Sequence, residues 1–120
     1  MSLAGSIALR GSTATVYAAL DTAQADGSSG RTYPTNTPGV KVLLEDISAE
    51  LLRRVFGAET KATLRAYAPL SATIRLDDGL TITAGAHVGE RFRVAGRLEF
   101  RAGASPHAQL ALEATTEAFT

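Results

Sequence analysis

The sequence has no cysteine and no tryptophan, and only three tyrosines and four phenylalanines in 120 residues. Without cysteine, neither a disulfide framework nor a thiolate metal site can form, and the redox compartment stays open. With few aromatics and much alanine, the chain can build one core, but a modest one. Lysine is also scarce: Lys41 and Lys61 stand alone, and the other basic residues are arginines. Arginine's planar fork suits interface salt bridges, and a high-GC genome gives the same bias. Twelve basic residues balance twelve acidic ones, for a pI near 6.7. That lacks the basic excess of a dedicated nucleic-acid binder, although a ring through which DNA slides need not be basic. No apolar run approaches the ~20 residues of a membrane span, so no membrane partner is expected. The first residues lack the charged-then-apolar order of a signal peptide.

What is present is mainly two-residue alternation, the signature of half-buried strands. Residues 3–10 have no firm period and read as an extended arm or short strand, within an N-terminal arm spanning 1–12. Residues 13–20 alternate, with Ala14, Val16, Ala18 and Leu20 on one face. Over 21–38 the pattern vanishes. Asp26, Gly27 and the following serines are turn chemistry, and Pro34 and Pro38 extend the residues before them. This predicts a long flexible loop, either a surface loop or an arm that orders against a neighbouring subunit. Val40, Val42 and Leu44 mark the next strand. A short helix is expected from Ser48, a good N-cap, to Gly57, a good C-cap. Its apolar face is Leu51, Leu52, Val55 and Phe56. Alternation returns over 61–67 and 71–76, a turn follows at Asp77, Asp78 and Gly79, and 80–83 is short and β-prone. Phe92 and Val94 point inward, opposite Arg91 and Arg93. Ala95 and Gly96 fit a tight hairpin turn. Beyond it Leu98 and Phe100 continue the core face, opposite Arg97, Glu99 and Arg101. A last strand over 108–115 carries Leu110, Leu112 and Ala114 inward, and the remaining tail is expected to fray. The fold class is therefore mostly β. It is a single domain over 1–120, a small antiparallel β-barrel with one short helix between strands and a long loop.

Signals for catalysis are weak. His87 and His107 lie in turn regions, outside any metal-ligand spacing. Asp77 and Asp78 are explained by a turn, and Glu45 and Asp46, adjacent in a strand, point to opposite faces. Ser105 near His107 lacks an acidic partner and a nucleophile elbow. Gly85 and Gly89 lack the third glycine and the strand-to-helix setting of a dinucleotide fingerprint. No enzyme, cofactor or metal is expected. The strongest charge feature is Arg91, Arg93, Arg97 and Arg101, placed by alternation on the outer face of one sheet. They form either a solvated face or, with Tyr33, candidate subunit contacts.

From residue 40 to about 117 the order of features resembles the head-closure, or stopper, proteins of tailed-phage necks, also called head–tail connector proteins. A strand leads into Ile47, Ser48, Ala49, Glu50, Leu51 and Leu52. A second strand follows from Ala62 to Pro69. A segment from Leu80 to Val88 comes next, then Gly89, Glu90, Arg91, Phe92, Arg93, Val94, Ala95 and Gly96, and a final strand pair. The glycine-aromatic-x-Val-x-Gly run is the clearest piece. The first 38 residues and the 71–79 insertion depart from the pattern. The resemblance implies a homo-oligomeric ring of six or twelve copies in the virion neck, assembled in the host cytoplasm. Its partners would be the portal or adaptor protein, the tail terminator or tail tube protein, and double-stranded DNA in the channel. It also implies a channel- or interface-facing segment with Glu45, Asp46, Glu50, Arg53, Arg54, Phe56 and Glu59. Phe56 then tests two placements of the helix: a plug buries it inside its own barrel, and a ring element leaves it exposed until subunits meet. Alternatives are another neck or tail-end protein, such as a tail terminator, and a cellular β-barrel binding module.

Overall fold

The structure, a computed structural model, describes residues 3–23, 29–57, 61–103 and 105–119. The alternating segments form six strands: β1 (Ser12–Ala23), β2 (Ser29–Asp46), β3 (Leu64–Ala68), β4 (Gly79–Ala84), β5 (Arg91–Phe100) and β6 (His107–Ala114). They close into an antiparallel barrel in the order β1-β2-β3-β6-β5-β4, with β4 returning to β1. Closure pairs the strand edges that an open sheet would leave free. Alternation selects the inward residues Ala14 and Val16, Val42, Leu64 and Ala66, Phe92 and Val94, Leu110 and Leu112, which Leu80 and Ile82 of β4 join. Several of these positions are alanine, so Phe92 is the largest fully buried side chain.

Two helices accompany the barrel, one more than expected: α1 (Leu3–Arg10) and α2 (Ala49–Phe56). The expected extended arm is thus mostly helix. Ile7 is buried, and the Gly11 N–H donates to the Ile7 carbonyl at 3.0 Å as the chain turns into β1. A side chain at Gly11 would meet that carbonyl at 2.3 Å, so this turn requires glycine.

The expected loop over 21–38 is also corrected. Residues 21–23 belong to β1 and 29–38 to β2, while 24–28 lie outside the described residues. Beyond Tyr17 in β1, this hairpin projects past the barrel, because β4 pairs only with Thr13–Tyr17 and β3 only with Leu43–Asp46. One face of this ribbon is wet, with Leu20 exposed, and the other is covered at Tyr33 by a distant part of the chain, so local polarity does not record a strand. The prolines are tolerated because the ladder shifts register at both: Pro34 falls where Ala18 gives way to Leu20, and Pro38 where Ala14 gives way to Val16. Gly39, at φ 73°, completes the second irregularity. Asp78 fastens the hairpin root. Its buried carboxylate accepts from the Ala19 N–H at 3.0 Å and the Arg75 N–H at 2.9 Å.

Two further expectations shift. Residues 71–76 are a loop anchored by the buried Ile74. Ala95 and Gly96 do not turn the chain: β5 runs straight through them, with a register shift between Val94 and Gly96 against β6. A one-residue bulge reverses which side chains face inward. Past it, Gly96 lies opposite Ala111, Leu98 opposite Gln109 and Phe100 opposite His107.

Candidate functional site

The short helix expected after residue 48 is present, and its N-cap works as read: the Leu51 N–H donates to the Ser48 hydroxyl at 3.1 Å. Gly57 ends it at φ 113°, ψ 155°, a conformation outside the left-handed helical region and open essentially to glycine alone. The helix is no plug. It lies on the outer wall of the barrel, where Leu52 is fully buried against Ala62 and Ala111, with Ile47 and Phe56 packed around them. Phe56 sits over Gly96, where an added Cβ would come within 2.8 Å of its ring. Both placements foreseen for Phe56 are therefore corrected. It is half-buried against the outside of its own barrel. Leu51, expected on the apolar face, is 40% exposed, because the docking surface is only wide enough for Leu52 and Phe56.

The opposite face of α2 carries Glu50, Arg53 and Arg54, all exposed, with Arg54 paired to Glu50 at 2.8 Å. Glu59 lies outside the described residues. Glu45 is not grouped with them. It points onto the outer face of β2, pairs with Arg65 and lies within 3.5 Å of the Tyr67 hydroxyl. Burial, with the Glu45 carboxylate adding to it, pushes the Tyr67 phenol above its usual value, while Arg65 opposes that. Asp46 is exposed and lies 3.7 Å from His87, whose other ring nitrogen contacts Glu90.

The four arginines expected on one outer face are split by the β5 bulge. Arg91 and Arg93 precede it and face outward. Arg93 pairs with Glu113 at 3.0 Å, and Arg91 donates to the Glu117 carbonyl at 3.1 Å. Arg97 lies opposite the core residue Leu110, and Glu99 opposite the buried Ala108. There the strand has outrun the barrel, and both line an open groove of 660 Å³ under Leu70–Leu76 that also takes in Arg75. Glu99 receives Arg97 and Arg101, each at 2.7 Å. Their hydrogen bonds hold its carboxyl below the ordinary range. Tyr33 is buried within its own chain, against Phe119, and burial next to the Glu117 carboxylate raises its phenol.

One surface was missed. The same bulge turns Leu98 and Phe100 outward, 37% and 41% exposed. Phe100 stacks on His107 at 5.1 Å, and His107 lies 5.7 Å from the Tyr67 ring. An apolar and aromatic stripe thus crosses the outside of β5, β6 and β3, on the wall where α2 docks. The sequence signal was the pair of small residues at 95 and 96, read as a turn. Among the described residues, no group of three or more histidines, cysteines, aspartates or glutamates is placed to hold a metal ion.

No family model matches the chain, and no curated protein shows significant similarity to it. Among solved structures, it is similar to the solution structure of protein SF1141 from Shigella flexneri 2a, with a TM-score of 0.62 and 12% sequence identity. The match covers 92% of this chain and 98% of that one. At that identity the likeness shows a shared fold.

Proposed function

We propose that the protein is a structural neck component of a tailed phage or phage-like particle, forming a ring that joins the portal to the tail and helps retain packaged DNA. The reading rests on the ordered resemblance between residues 40 and 117. The observation that carries it furthest is where the chain spends residues outside its core. The barrel is closed, and the projecting β1–β2 hairpin and α2 lie outside it. α2 adds a small second cluster around Leu52 and the hairpin buries Tyr33, yet both keep outward faces that suit contact with neighbouring copies. Past the barrel, the far edge of β2 pairs with no strand among the described residues. A small barrel ringed by identical neighbours has use for such an edge.

Within this reading α2 presents Glu50, Arg53 and Arg54 to the channel. A lining of mixed sign limits sticking, since each phosphate neutralised adds affinity for DNA. Deleting the gene from the genome that encodes it tests the function. Filled heads that lose their DNA and carry no tails are expected. Heads that keep their DNA and join tails refute the reading. Labelling the protein in isolated necks then separates a stopper, on the portal side, from a tail terminator on the tail side.

A further inference from the structure

Residues 115–119 follow β6 and cross to the root of the projecting hairpin, where an end expected to fray is pinned instead. The Thr115 N–H donates to the Arg91 carbonyl at 3.0 Å, and the Arg91 guanidinium donates to the Glu117 carbonyl at 3.1 Å. The Tyr33 hydroxyl donates to the Glu117 carboxylate at 3.2 Å. Phe119, 9% exposed, enters a socket between two tyrosines: its ring lies edge-on to Tyr33 at 4.9 Å and 5.3 Å from Tyr17. The socket floor is Gly79, where a Cβ would lie 2.5 Å from the Phe119 ring. Gly79 opens β4, and the absence of a side chain there leaves the room that the ring fills.

We propose that this socket is an exchange site, taking residues 117–119 of a second copy of the chain in place of its own. Past Thr115 the strap is held by side chains and by the Thr116 and Glu117 carbonyls, which accept from Arg91, and it extends no strand. A strap from another copy can therefore reproduce the contacts of Glu117 and Phe119, while Thr115, next to the paired Ala114, stays on Arg91 of its own chain; swapping an identical element between protomers is a low-cost route to association. Its own strap wins in dilute solution, since a short tether supplies a local concentration on the order of millimolar. Exchange takes over where copies are crowded to a similar level. That crowding in the particle rests on the ring reading above, whereas the socket's capacity for a second copy does not.

Complementation tests it. Phe119→Ala removes the plug and leaves the socket. Gly79→Ala blocks the socket and leaves the strap. Each variant alone should be monomeric. Mixed in equal amounts at about 0.1 mM, a tenth of what a tether supplies, they should form a one-to-one heterodimer by native mass or sedimentation. A synthetic peptide of residues 113–120 should bind the Phe119→Ala chain and compete the heterodimer apart. Its affinity for a chain carrying both substitutions should fall by about tenfold or more, because a buried ring loses its place. Three results overturn the proposal: no hetero-association while both variants keep their circular dichroism, dimerisation of either variant alone, or peptide binding without hetero-association. Should Gly79→Ala not fold, Tyr33→Ala serves as the blocked socket. A wild-type chain that forms no ring would count against the ring alone and leave the heterodimer result readable.

Discussion

Asp78 ties the hairpin to the barrel, and removing its carboxylate measures how much that tie contributes. The side chain is 3% exposed and accepts from two backbone amides, of Ala19 in β1 and of Arg75 in the preceding loop. Hydrogen bonds to a charged acceptor contribute about 1.5–3 kcal/mol each, and Asp78→Ala leaves both amides without their partner. Desolvating the carboxylate offsets part of that gain, so a net loss of about 3–4 kcal/mol is expected. An unfolding entropy near 2.1 cal/mol/K per residue gives about 0.25 kcal/mol/K for this chain, and the loss becomes a fall of about 12–16 °C in Tm. Asp78→Asn keeps one acceptor but turns an N–H towards the other amide, so it should lie between wild type and alanine. Asp77 is the control. It stands beside Asp78 at φ 71°, and its only ion pair among the described residues, with Arg31 at 3.5 Å, is half-exposed. Asparagine tolerates that backbone, so Asp77→Asn should cost under about 0.5 kcal/mol. Urea titration gives the free energies, and amide exchange gives the location. Protection should collapse at Ala19 and its hairpin neighbours before it does at Leu110. If Asp78→Ala lies within 1 kcal/mol of wild type, or if Asp77→Asn costs as much, the hairpin is held by something else.

Three further outcomes are expected. Gly96→Val places a Cβ within 2.8 Å of the Phe56 ring and 3.2 Å of the Ala111 Cβ, so α2 should lift off the wall. Amide exchange in α2 should accelerate, and overpacking of this kind costs about 1–3 kcal/mol in chemical denaturation. Phe92→Ala empties the largest position in an alanine-rich core and should cost about 3–5 kcal/mol by the same measurement. Glu99→Gln is read against pH. Hydrogen bonds from Arg97 and Arg101 lower the Glu99 carboxyl in the folded chain, so its contribution is present above the ordinary value of 4.5 and disappears as pH falls through the lowered one. The gap in Tm between wild type and Glu99→Gln should therefore be full at neutral pH and close in acid. A gap that widens in acid contradicts the assignment.

The barrel was legible because closure leaves each core strand with one wet and one dry face, and alternation records that directly. Val16, Val42, Leu64, Val94 and Leu112 are inward as their spacing says. The projecting hairpin was not legible for the complementary reason. Leu20, Thr32 and Thr35 sit on the wet face of the ribbon, so nothing constrains their polarity, and Pro34 and Pro38 read as breakers until the register shifts that accommodate them are seen. The start of α1 was hidden because Leu3–Arg10 is nearly all small or apolar, with too little polar contrast to mark a helical face. The Phe119 socket has no sequence signal beyond Gly79, whose place after two aspartates made a turn sufficient reason for it.

The bulge at Ala95 explains most of the remaining disagreements. Had β5 kept its phase beyond Val94, the residues opposite the outward Ala111 and Gln109 would have been Ala95 and Arg97. Leu98 and Phe100 would have gone inward, where the barrel has already ended and the loop at Leu70–Leu76 closes the space. The extra residue brings Gly96 opposite Ala111, two of the smallest side chains available, and makes a shallow seat on the outer wall. Leu52 and Phe56 fill that seat, which is why α2 lies outside the barrel and not across its end. The same reversal exposes Leu98 and Phe100 beside the docked helix and draws Arg97 into a cluster with Glu99. A single inserted position thus fixes which face of α2 is left exposed. The exposure of Glu50, Arg53 and Arg54 depends on it, although they lie on the opposite face of the helix.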